Sequence, residues 1–89
     1  MKKLYFVEVT DTFGGEANYS WVTRAIYRAK SEKGAACILS RETGLNFRFD
    51  GVKYVSKSGA TCAFIEDFDP DSHSEYLDYL RDDRQEDEL

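Results

Sequence analysis

One histidine, one proline and two cysteines stand among the 89 residues of this chain, and each scarcity removes a class of function. Cys37 and Cys62 lack a Cys-x-x-Cys spacing, and with a single imidazole they cannot supply the four N or S ligands of a structural zinc site. His73 is the only candidate general base, but it falls among carboxylates on the inner side of a predicted terminal helix, where packing is its expected role. Walker, dinucleotide-binding, nucleophile-elbow and His-Glu-x-x-His patterns are all absent. Glu66 and Asp67 are adjacent, so on a strand they point to opposite faces and make no acid/base pair. Asp67, Asp69 and Asp71 alternate as in a calcium loop, with Asp78 at the twelfth position. However, Ser72 stands where that loop needs glycine, and Pro70 interrupts it. The chain therefore reads as non-enzymatic, with no catalytic residue, cofactor or metal expected. No apolar run approaches the ~20 residues that cross a bilayer, and Met1-Lys2-Lys3 leads into a strand pattern instead of an apolar leader. The expected location is the cytoplasm, with both cysteines reduced and in the core.

What is abundant is aromatic: six Tyr, six Phe and one Trp, within a hydrophobic content of 42%. That supports one small core, and the length suits one domain. Leu4–Thr10 and Tyr19–Tyr27 read as long strands joined through Phe13-Gly14-Gly15-Glu16-Ala17-Asn18, where the glycine pair supplies the positive φ angles of a tight reversal. Both sides of the first arm are apolar at its start, the pattern of an inner strand covered on two faces. In the second arm Tyr19, Trp21, Thr23, Ala25 and Tyr27 alternate with Ser20, Val22, Arg24, Ile26 and Arg28. A bulge is expected near Thr23 or Ala25, because so long a ribbon twists.

Ser31 reads as an N-cap with Glu32 at the positive end of a helix running to Thr43. Ala35, Ile38 and Leu39 form its apolar stripe and Gly44 its left-handed stop. Asn46–Ser56 reads as a third strand interrupted at Asp50-Gly51 by a turn or bulge, and Ala60–Asp67 as a fourth. Asp69-Pro70 ends the sheet, and Ser72 to Glu75 has capping-box spacing. The expected fold is thus a single α+β domain over residues 1–83, with a frayed acidic tail over 84–89. It is an antiparallel sheet of about four strands in the order ββαββα, with helices packed on it and an acidic terminal helix.

The net charge of −5 conceals a division. Residues 1–65 hold ten Lys/Arg against six Asp/Glu, whereas residues 66–89 hold two Arg against eleven Asp/Glu. On a helical wheel at about 100° per residue, His73, Tyr76, Leu77 and Leu80 share one side, while Asp71, Glu75, Asp78, Asp82 and Glu86 share the other. Carboxylates one turn apart are spaced like phosphates along a nucleic-acid strand, to within the same order. A row of this kind attracts proteins built to hold nucleic acid. The expected partner-binding residues are Asp71, Glu75, Asp78 and Asp82, supported by Glu66, Asp67 and Asp69, with Tyr79 as an aromatic anchor. The alternative is a small nucleic-acid-binding domain using Arg24, Arg28 and Lys30 beside aromatics. A third option is an assembly module without a ligand, dimerising through sheet edges.

The hairpin with its Thr-Phe-Gly-Gly-Glu-Ala-Asn-Tyr turn, together with the small acidic ββαββα pattern, looks like accessory proteins encoded by bacteriophages and other mobile elements. Within that group it is similar to the anti-CRISPR inhibitors in size, acidity and lack of catalytic residues. They share no common motif, so no site residue is transferred. The resemblance implies a stoichiometric inhibitor, monomeric or homodimeric, that binds a nucleic-acid-handling host complex as a nucleic-acid mimic.

Overall fold

In the computed structural model, which describes residues 2–80, the chain forms an antiparallel five-stranded sheet with one long helix on one face and a short helical segment on the other. The strands are β1 (Lys3–Phe13), β2 (Glu16–Ala29), β3 (Phe47–Phe49), β4 (Tyr54–Ser56) and β5 (Thr61–Asp67), in the spatial order β2-β1-β5-β4-β3. The helix α1 (Glu32–Thr43) follows β2, and the short α2 (Pro70–His73) runs directly into a 3-10 segment, Ser74–Tyr79.

β1 is the organising strand because it pairs with β2 on one side and β5 on the other. Its alternation serves two layers. Tyr5, Val7 and Val9 join Ala25, Tyr27, Ala63 and Tyr54 beneath the buried stripe of α1, Ala35, Ala36, Ile38 and Leu39. Phe6, on the opposite face, is buried under the C-terminal segment. Ile38 and Leu39 are 1% and 2% exposed, and full burial of such side chains stabilises by about 1.5–3 kcal/mol each.

α1 has the predicted bounds. The Ser31 hydroxyl accepts the Gly34 N–H at 3.0 Å, and Gly44 is left-handed at φ 74° with its N–H donated to the Ser40 carbonyl. Cys62 is buried, but Cys37 is exposed. The helix turns the latter away from the stripe formed by its neighbours Ala36 and Ile38, so only one of the two thiols belongs to the core.

Three expectations change. The span 46–56 is a hairpin of two short strands, which raises the count to five and the order to ββαβββα. The Asp50 carboxylate accepts the Val52 and Lys53 N–H groups at 2.9 and 2.8 Å, and Gly51 adopts φ 102°. This local side-chain bonding competes with a continuous strand. The hairpin irregularity lies between Thr10 and Thr12, opposite residues 17–22, instead of at Thr23 or Ala25. There the Asp11 carboxylate accepts from Asn18 Nδ2 (2.9 Å), the Ser20 backbone N–H (3.0 Å) and the Ser20 hydroxyl (2.5 Å), and Thr10 Oγ1 donates to the Trp21 carbonyl at 2.7 Å. Within this knot Tyr19 adopts φ 60°, a left-handed conformation uncommon for an aromatic.

The third change concerns the terminal helix. Asp69, not Ser72, is the N-cap of α2: its carboxylate accepts the Asp71 N–H at 3.1 Å, with Pro70 at the first helical position. The α-helix ends after His73, and the chain tightens into the 3-10 segment until Leu80, which is extended. The continuous acidic α-helix is therefore replaced by two short turns. A 3-10 segment repeats every three residues, which puts His73, Tyr76 and Tyr79 on one ridge. The aromatic spacing of three prevails over the apolar spacing of the wheel, and Leu77 is left 46% exposed.

Candidate functional site

The C-terminal segment is held to the sheet by rings. His73 stacks on Phe6 with centroids 4.2 Å apart and planes 10° from parallel. Tyr76 lies 5.1 Å from Phe6, Phe68 lies 5.8 Å from His73, and Tyr79 extends the ridge 6.0 Å beyond Tyr76. Offset ring pairs of this kind stabilise by about 0.5–1.5 kcal/mol beyond their burial. The Arg24 guanidinium sits 5.2 Å over the Tyr76 ring while its Nε donates to Glu8 at 3.0 Å. Two backbone contacts complete the attachment: Phe68 N–H to the Leu4 carbonyl at 3.0 Å, and a bridge pairing Leu80 with Ile26, while the Leu80 N–H closes the 3-10 segment on the Leu77 carbonyl.

His73 is the keystone of this attachment. Its Nδ1 accepts the Asp69 N–H at 2.9 Å, so in the neutral ring the proton resides on Nε2, which faces Glu66 Oε2 at 3.3 Å. The imidazole is nearly buried and is fully employed in closing the turn, as the sequence implied. The neighbouring Tyr76 phenol is raised above its ordinary range, first by hydrogen bonding to Glu75 and then by burial.

The predicted binding residues divide into two groups. Glu66 faces His73, Asp67 pairs with Lys3 at 3.3 Å, and Asp69 caps α2; these three serve the fold. Asp71, Glu75 and Asp78 are exposed and form no salt bridge with any described cation. Glu75 and Asp78 are three residues apart in a 3-10 segment rising ~2.0 Å per residue, which places them about 6 Å apart along one ridge. Tyr79 is 43% exposed beside them. Asp82 lies outside the described residues, as does Glu86.

Of the basic alternative, the structure specifies the surroundings of Arg24. Arg24 is committed to Glu8 and Tyr76, so it stabilises the acidic segment instead of offering a phosphate contact. Tyr19 and Trp21 were among the aromatics expected beside that basic face, but sequence reasoning missed the hydrogen-bond network that holds them at the free end of the hairpin. Phe13, Tyr19 and Trp21 are 79%, 55% and 45% exposed, and the last two are fixed by the Asp11 knot. The available signal was Asp11 itself, a bare carboxylate placed to collect Asn18 and Ser20 across a two-residue turn. Its acidity is strengthened well below the usual carboxylate range, first by Ser20 and then by Asn18.

Comparison of the chain with protein-family models, with curated proteins and with solved structures finds no match in any of the three.

Proposed function

We propose that this protein acts by binding another protein, without catalysis, and that the partner is a nucleic-acid-handling complex which the carboxylates of the C-terminal segment engage in place of phosphates. The observation that carries this reading is the segment's construction. An aromatic ridge fastens one side to Phe6, while Asp71, Glu75 and Asp78 face outward from a backbone fixed by the Asp69 cap. Fixed carboxylates bind a basic surface with less loss of conformational entropy than carboxylates on a loose tail. Their approach is accelerated by long-range attraction. Phage-encoded inhibition of a host complex, the role suggested by the anti-CRISPR resemblance, is the specific form of the proposal.

The test is capture from a bacterial lysate on immobilised protein, with and without duplex DNA as competitor. Captured proteins are expected to be nucleic-acid binders, displaced by DNA and by raising the salt. The triple change Asp71→Lys, Glu75→Lys and Asp78→Lys should abolish capture while leaving the circular dichroism spectrum intact. Capture that survives the triple change would refute the mimicry.

A further inference from the structure

We propose that the cavity where the β1–β2 hairpin outruns the C-terminal end of α1 is a second binding site, which takes a small, flat, uncharged aromatic molecule carrying a hydrogen-bonding group on its edge. The cavity encloses about 440 Å³, within the range of about 300–1,000 Å³ usual for small-molecule sites. It exists because a strand rises ~3.3 Å per residue and a helix only ~1.5 Å. The 12 residues of α1 therefore stop short of the far end of the 14-residue β2. Trp21, Thr23, Ala25 and Tyr27 alternate along one face of β2. Ala25 and Tyr27 are buried under the helix, whereas Trp21 stands beyond it. Val9, Ala25, Tyr27 and Leu39 form the buried floor, and Trp21 and Leu45 form the walls, 45% and 37% exposed. A ring inserted against those walls covers apolar surface that the chain itself leaves to water.

The lining also decides the charge of the ligand. Its described residues include one carboxylate and one guanidinium, and both serve the fold. Glu42 Oε1 accepts the Tyr27 hydroxyl at 2.8 Å. Arg24 reaches to the other face of the sheet, with Nε on Glu8 at 3.0 Å and its guanidinium over Tyr76. α1 ends at this cavity, and the negative end of its dipole disfavours an anion. A cation would have to shed its water for a carboxylate that Tyr27 already engages. Among the hydroxyls of the lining, Thr43 Oγ1 donates to the Leu39 carbonyl, whereas those of Thr23 and Thr61 bond to no described residue. Thr23 is exposed and Thr61 half-buried, on strands that flank β1. They give the polar edge of a ligand its partners at the mouth.

The test titrates the full chain with 2-naphthol, uncharged at neutral pH, and follows amide and indole NMR shifts. Trp21 is the one tryptophan of the chain, so its indole N–H is an unambiguous reporter. Half-saturation is expected below about 1 mM, with shifts at that indole and at the Leu39, Thr43 and Leu45 amides. Naphthalene-2-sulfonate and 2-naphthylmethylammonium, the same rings with a negative or a positive charge, should bind about fivefold or more weakly. Thr23→Trp fills the cavity from an exposed position, and Trp21→Ala removes a wall. Each should weaken 2-naphthol binding about fivefold or more. The triple lysine variant of the acidic segment should bind 2-naphthol unchanged, which separates this site from the one proposed above. No saturation by about 5 mM, shifts centred elsewhere, equal or tighter binding of either charged probe, or indifference to both cavity variants would each overturn the proposal.

Discussion

Replacing His73 by alanine removes the ring that the C-terminal segment turns on, and the cost can be worked from its contacts. The Asp69 N–H loses its acceptor, about 1–1.5 kcal/mol for a partly buried donor left unmade. The stack on Phe6 is lost, worth roughly 0.5–1.5 kcal/mol, together with the burial of most of an imidazole, about 1 kcal/mol. The total is about 2.5–4 kcal/mol, and in a domain of this size each 1 kcal/mol moves the melting temperature by roughly 4–8 °C. The loss cannot exceed the free energy that docks the segment, because once undocked the segment no longer contributes. The melting temperature is expected to fall by about 10 °C or more, up to the limit set by complete undocking. Hydrogen exchange should localise the change, with the Phe68, Asp69 and Leu80 amides losing protection while Val7 and Ile38 keep theirs. His73→Phe separates the contributions: it keeps a ring against Phe6 but offers no acceptor, so about half the loss is expected. A melting temperature within about 2 °C of the parent for the alanine variant, with the Phe68 amide still protected, would show that the segment is held by something other than this ring.

Two further predictions concern carboxylates. Asp11 is held below its ordinary pKa of 3.8 by the Ser20 and Asn18 hydrogen bonds, so its contribution is fully present above that value and is lost only as the pH falls through the lower folded value. Carboxyl NMR should find it still ionised at pH 3, and Asp11→Ala should make the resonances of Asn18, Tyr19 and Ser20 heterogeneous while sparing the core. Asp50 is lowered to about 2, chiefly by the Lys53 and Val52 N–H groups. The turn between β3 and β4 should therefore hold above pH 4 and loosen between pH 4 and 2, with the Val52 and Lys53 amide shifts titrating at a midpoint near 2.

The parts of the fold that were legible in the sequence were those with local chemical punctuation. Ser31 and Gly44 bounded α1 because each satisfies a helix end by itself, and Gly14-Gly15 marked a reversal that few other residues tolerate. Phe6, Val7 and Val9 announced a strand covered on both faces. What escaped was chemistry acting across the chain. Asp11 stood across the glycine turn from Asn18 and Ser20, but that its carboxylate would collect both depended on the register of the two arms. The split at Asp50-Gly51 depended on whether that side chain would accept from the Val52 and Lys53 amides or from solvent. The terminal segment offered two periods, three for the rings and 3.6 for the leucines, and the choice rested on Phe6, sixty-seven residues away from His73. The same choice decided the candidate site: Asp71 and Asp78 remain outward, Glu75 is exposed beside the Tyr76 hydroxyl, and Glu66, Asp67 and Asp69 were taken up by partners within the fold.

The bridge between Leu80 and Ile26 has one more implication. β2 is the longest strand and forms a border of the sheet, and an uncovered border is where separate molecules zip together into fibrils. By resting Leu80, just past the 3-10 segment, against that border, the chain uses its own C-terminal segment as a selvedge, and a variant in which that segment comes undocked would be the version prone to tangle with its neighbours.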